Sequence, residues 1–179
     1  LGLAFLFVEI AFIQRFTLFL SHPLYAVAVV LAGFLVFAGI GSGLSTLLAR
    51  RLRNSRLHPV HLAVGGIVAV CLVYTLVLPG LFAQAIAYND ITRIALSLTL
   101  IAPLAAFMGM PFPLGLKSLD ESAPEFIPWA WGINGFASVI SAAIATLLAI
   151  SFGFTFVLLM ALLLYAAAAI LAPTGRNSW

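Results

Sequence analysis

Apolar residues run along this chain in blocks about twenty long, parted by short clusters where proline, glycine and charge collect. Blocks of that length, without two-residue alternation, predict membrane-spanning helices and not strands. In hydrocarbon the backbone must satisfy its own hydrogen bonds, which leaves only helices or a closed barrel. Six spans follow: residues 1–20, 24–49, 59–78, 91–114, 128–151 and 153–171. The first ends at Ser21-His22-Pro23, the second at a basic cluster over residues 50–56. Pro79-Gly80 predicts a break in the third, which extends toward Ala87 before a turn at Tyr88-Asn89-Asp90. Gly153 allows a very tight turn between the last two. The expected fold is a single all-α domain over residues 1–179, a polytopic bundle of about six transmembrane helices.

One stretch breaks the apolar pattern at length: GMPFPLGLKSLDESAPEFIPWAWGING, residues 109–135. Pro111 and Pro113 close one apolar run and Pro128 opens the next, and each should end, kink or begin a helix. Lys117, Asp120, Glu121 and Glu125 lie between them and belong in water. The pattern predicts a broken helix end, a short polar loop, and a helix start anchored by Trp129 and Trp131.

Composition removes the soluble alternative. Charged residues make up 7% of the chain and hydrophobic ones 64%, with a mean hydropathy of +1.23, whereas soluble domains carry about 25% charged residues. The net charge of +3 comes from loop arginines, so it speaks of orientation and excludes a nucleic-acid partner. Short loops rich in Lys and Arg stay cytoplasmic. Arg50, Arg51, Arg53, Arg56, Lys117 and Arg176 are therefore expected inside, with Arg15 and Arg93 outside and both termini cytoplasmic. The chain begins at Leu1, already inside a helix and without a signal-peptide pattern. That start leads us to expect a piece of a longer polypeptide, or a processed one.

Small residues predict close packing. Gly39 and Gly43 form a GxxxG, with Gly41 between them and Gly33 above. Ala137, Ser141 and Ala145 repeat every four residues, as do Ser138, Ala142 and Thr146. Such spacing lets helix backbones approach in a tight bundle or at a subunit face. A nucleotide loop is excluded for the glycines at 39–43, which precede no soluble βα unit.

The residues able to carry chemistry are few. Glu9 sits near the middle of the first span, where a charge costs about 2.5 kcal/mol or more. It must be protonated, paired or beside a wet cavity, and its role is either functional or a neutral structural hydrogen bond. Arg15, six residues on, lies well off the same face, and Gln14 and Arg15 approach the outer interface, where arginine snorkels. Asn134 is an equally good interhelix partner for Glu9. Together Glu9, Gln14, Arg15 and Asn134 form a candidate intramembrane polar site. Pro111, Pro113, Glu121, Glu125, Trp129 and Trp131 form a candidate cytoplasmic vestibule, able to hold a cation by charge and cation–π attraction. Its simpler reading is a kinked helix end with an interfacial tryptophan belt. His58 and His61 share a helical face but have no third ligand nearby, so no metal site is expected. Cys71, the single cysteine, reads as a small packing residue. The chain shows no catalytic constellation, and the sequence names no cofactor.

Three blocks, residues 2–43, 109–119 and 127–159, together resemble one known region: the carboxy-terminal membrane part of bacterial spermidine synthase-like proteins, also labelled fused transporter/spermidine synthase. The resemblance rests on E-x-x-x-x-Q-R at Glu9–Arg15, M-P-F-P-x-G from Met110 and P-W-A-W-G-I-N-G from Pro128. It implies Glu9, Gln14, Arg15, Pro111, Pro113, Trp129, Trp131, Gly132, Asn134 and Gly135 as signature positions. It also implies a soluble aminopropyltransferase-like domain ahead of Leu1, absent here with its catalytic residues, and the bacterial inner membrane as the location. Six helices with both ends inside also resemble half of a major-facilitator transporter, although the acidic residue of that family's loop motif is missing from residues 43–53. Three expectations follow: a membrane module anchoring an enzyme domain and handling a small substrate, a transporter or half-transporter, or a structural subunit of a membrane complex. The partners expected are the lipid bilayer, other membrane subunits or a second copy, and a fused or lost soluble domain.

Overall fold

A computed structural model describes residues 1–20, 22–52, 58–85 and 87–172. Arg53, Arg56 and Arg176, on which part of the expected orientation rests, lie outside the described residues. The described chain is all-α: α1 (Gly2–Leu20), α2 (Pro23–Leu52), α3 (Pro59–Ala85), α4 (Asp90–Met108), α5 (Pro111–Ser122), α6 (Ile127–Phe152) and α7 (Phe154–Leu171), with a 3₁₀ turn at Pro124–Phe126. Six stretches are long and apolar enough to cross a membrane, α4 and α5 counting together as one.

The helix ends follow local chemistry. Asn89 caps α4, its side chain accepting from the Thr92 N–H at 2.9 Å, so one otherwise orphaned donor is satisfied. Gly153 takes φ 83°, a conformation that favours glycine, and it turns α6 directly into α7. Pro79 does not break α3, which continues through it to Ala85. Proline is tolerated inside such helices where neighbouring groups re-satisfy the backbone, and here the turn beyond it is held by Phe82 packing on Phe16 and Phe19.

The region after Gly109 differs from the expected loop. The helix stops at Met108 and restarts at Pro111, and residues 114–122 are helical. Pro111 has no N–H to offer the Phe107 carbonyl, so the Met110 N–H serves it instead at 3.2 Å. That tightened turn kinks the span without ending it. Lys117, Asp120 and Glu121 ride on the exposed side of α5, while Pro111, Leu114 and Ser118 are buried beneath. The polar residues face out because the short helix is amphipathic.

α1 is the centre of the bundle. It packs against α2, α4, α6 and α7, and 50% of its most apolar window is buried, against 17% for α6. α2 and α4 cross closely. A side chain on Gly41 would strike the backbone of Ala106, and one on Gly109 would strike the backbone of Ala38. α6 lies at the edge, packed on α1 and α7, with Ile133, Phe136, Val139, Leu147 and Ile150 turned outward.

Candidate functional site

α1 and α6 run in parallel, and their register organises the polar residues. At one end the Gly2 N–H donates to Asn134 Oδ1 at 2.7 Å, and a side chain at Gly2 would also meet Ser138. At the other end Gln14, Thr17 and Leu18 share a shallow groove with Ala149, Ile150 and Phe154. Asn134 is thus held by the first turn of α1, not by Glu9, which lies two turns further on. Seven residues bring Glu9 back to within about 20° of the face that Gly2 presents. There it is 4% exposed, and among the described residues no hydrogen bond or ion pair reaches it.

The remaining members of the expected polar site point elsewhere. Arg15 lines a cavity of about 20 Å³ between α1, α3 and α7 with Phe12, Tyr74, Thr75, Phe154 and Thr155, a space that holds about one water. Gln14 turns to the α6 side, and its Oε1 is buried without a hydrogen-bond partner. So Glu9, Gln14, Arg15 and Asn134 share two helices but do not converge on one point.

The expected vestibule is partly assembled. Phe112, between the two prolines, meets Trp131 edge-to-face at 5.0 Å, tying α5 to α6. Pro111 is buried and Pro113 half-buried. Trp129 and Trp131 stay 69% and 59% exposed, and Glu121 and Glu125 are exposed as well. Trp129 lines an open groove with Pro128, Gly132, Ile133 and Phe136 on the outer side of α6. The rings and carboxylates occupy one end of the bundle but enclose nothing.

Among the packing residues, Ser141 and Ala145 are buried and Ala137 half-buried on the seam with α1. Gly39 and Gly43 instead face open space, where a side chain would meet nothing within 4 Å. The close approach belongs to Gly41, one step between them. His58 and His61 stack edge-to-face at 5.4 Å, and among the described residues no group of three ligands is placed to hold a metal. Cys71 is fully buried.

Sequence reasoning missed an aromatic spine through the core. Phe34 receives Phe5 and Phe12 edge-on at 5.9 and 5.6 Å. Phe12 stacks on Phe16 at 5.8 Å. Phe16 meets Phe82, which lies flat on Phe19 at 4.3 Å. The Arg93 guanidinium closes the row, 5.7 Å from the centre of the Phe19 ring. Phe5, Phe12, Phe16 and Phe19 are spaced seven, four and three apart, a helical stripe legible in the sequence. Beside it the Tyr74 hydroxyl donates to the Leu100 carbonyl at 2.6 Å, joining α3 to α4. No family model, no curated protein and no solved structure matches this chain.

Proposed function

We propose that the chain is the membrane-embedded module of a spermidine synthase-like protein, anchoring an aminopropyltransferase-like domain at the cytoplasmic face of a bacterial inner membrane. The observation that carries this reading is the meeting of the three sequence blocks on which the resemblance rests. The first block touches the second where Ala38 lies against Gly109. It touches the third where Gly2 donates to Asn134. The second touches the third where Phe112 packs on Trp131. Blocks separated by tens of residues thus pack against one another as one unit. The first turn of α1 lies beside the start of α6, at the same end as the polar face of α5. A domain preceding Leu1 would therefore stand next to Lys117, Asp120, Glu121 and Glu125.

The test is peptide mapping and intact mass of the natively purified polypeptide. A mass well above 19.0 kDa, with upstream peptides carrying a Rossmann-type glycine loop, supports the reading. A native polypeptide with no soluble domain ahead of Leu1 overturns it.

A second reading, a transporter or half-transporter, is favoured by the burial of Glu9 in the central helix. Its test is uptake by proteoliposomes. Transport that is unchanged in Glu9→Gln removes the argument.

A further inference from the structure

Glu9 is the one acidic side chain of five that the fold keeps from water. Asp90, Asp120, Glu121 and Glu125 are all exposed, whereas Glu9 is 4% exposed on the central helix. An ionised carboxylate there needs a cation or several hydrogen-bond donors, because burying it bare is far more costly than neutralising it. The helices around α1 supply neither.

The charged and titratable groups on those helices can be taken in turn. α6 has none between Ile127 and Phe152. α7 has only Tyr165, buried. α2 has Tyr25 near its first turn and Arg50 and Arg51 in its last, all exposed. α4 has Asp90, exposed in its first turn, and Arg93, which sits over Phe19. α3 approaches α1 through Tyr74, whose hydroxyl donates to Leu100; its Cys71 is buried, and His61 is exposed near the start of that helix. On α1 itself Arg15 is about 120° around the helix from Glu9 and lines the cavity between α1, α3 and α7, which Glu9 does not reach.

The α6 seam beside α1 has hydroxyls, but their protons are already placed. Ser138 donates to the Asn134 carbonyl at 2.9 Å and Ser141 to the Ser138 carbonyl at 2.7 Å. Asn134 Oδ1 accepts from Gly2, and the two N–H donors of its amide sit at the level of Gly2, two turns from Glu9, and make no bond to it. What these oxygens leave toward α1 is acceptor capacity. Acceptors suit a carboxylic acid, which donates through its O–H, and not a carboxylate, which only accepts.

We propose that Glu9 is a proton-binding site inside the membrane, occupied at neutral pH. The ligand is a hydron on one carboxyl oxygen, and the site is the α1 face level with the serine seam of α6. This inference is independent of any domain ahead of Leu1, so it stands or falls separately from the anchoring function.

The experiment is infrared spectroscopy of the purified chain in liposomes at neutral pH. A protonated carboxyl has a carbonyl stretch well separated from the carboxylate bands. One such band is expected in the native chain, with a small downshift in deuterium oxide. It should vanish in Glu9→Gln and persist in Glu9→Asp. Glutamate labelled with carbon-13 at the carboxyl should shift it while labelled aspartate should not, which tests the assignment even if Glu9→Gln fails to fold. Absence of the band in the native chain, its survival in folded Glu9→Gln, or a shift with labelled aspartate alone would overturn the proposal.

Discussion

Gly41 on α2 lies directly against the backbone of Ala106 on α4, with no room between them for a β-carbon. Three residues away the relation is reciprocated, with Gly109, the residue that caps the end of α4, against the backbone of Ala38 of α2. Two small-residue pairs therefore face each other across one crossing. In a membrane, where burial from water drives little between helices, such close contact is a main source of association.

A side chain at this crossing meets backbone, which cannot rotate away. Gly41→Val and Gly109→Val should each destabilise the bundle by about 1–3 kcal/mol, the usual cost of overpacking. Gly39→Val and Gly43→Val, where nothing lies within 4 Å, should leave the folded monomer's stability unchanged. Thermal unfolding in detergent separates the two pairs. Equal losses at all four positions would contradict the crossing.

Asn134 works through its oxygen. Asn134→Ala removes the acceptor for the Gly2 N–H and should cost about 1 kcal/mol. Asn134→Asp retains an acceptor and should lose less. The same unfolding assay decides, and a larger loss for Asp than for Ala would refute the capping role.

The aromatic spine should be the most sensitive part of the core. Phe82 contacts both Phe16 and Phe19, so Phe82→Ala is expected to cost about 3 kcal/mol. Tyr74→Phe loses only the bond to Leu100, about 1 kcal/mol. A reversed order in unfolding measurements would show that the spine is not what holds α3 on α1.

Topology can be read with single cysteines. In a Cys71→Ala background, Lys117→Cys and Tyr88→Cys lie at opposite ends of the span formed by α4 and α5 and are exposed. In intact cells an impermeant thiol reagent should label Tyr88→Cys from outside and leave Lys117→Cys unlabelled until the membrane is opened. Labelling in the opposite sense would invert the orientation derived from the arginine loops.

Part of the candidate site was legible before the structure. The proline pair at 111 and 113 announced a discontinuity because proline removes a donor wherever it stands, and the helix does break there. The segment after it reads from sequence as a loop, since charge in a mostly apolar chain looks like a connection, but it is helical. Three exposed charges on one side of a twelve-residue helix give the same composition as a loop, and only the opposite face distinguishes them. Pro79 misled in the other direction. A proline predicts a break locally, yet neighbours that pack on the next turn let α3 continue.

By itself the sequence determined the number of spans, their approximate ends, the tight turn at Gly153 and the presence of one acid within an apolar helix. Those properties depend on hydropathy and on backbone chemistry, which are local to a stretch of residues. Tertiary structure alone decided that Gly41, and not Gly39 or Gly43, makes the close crossing. It also decided that Asn134 serves Gly2 and that Glu9 is buried in the packing around α1 while Arg15 lines the small cavity between α1, α3 and α7. Such choices depend on helix rotation and register. A helix apolar on every side can turn about its axis with little change in its exposure to lipid, so only packing against its neighbours sets which residues meet.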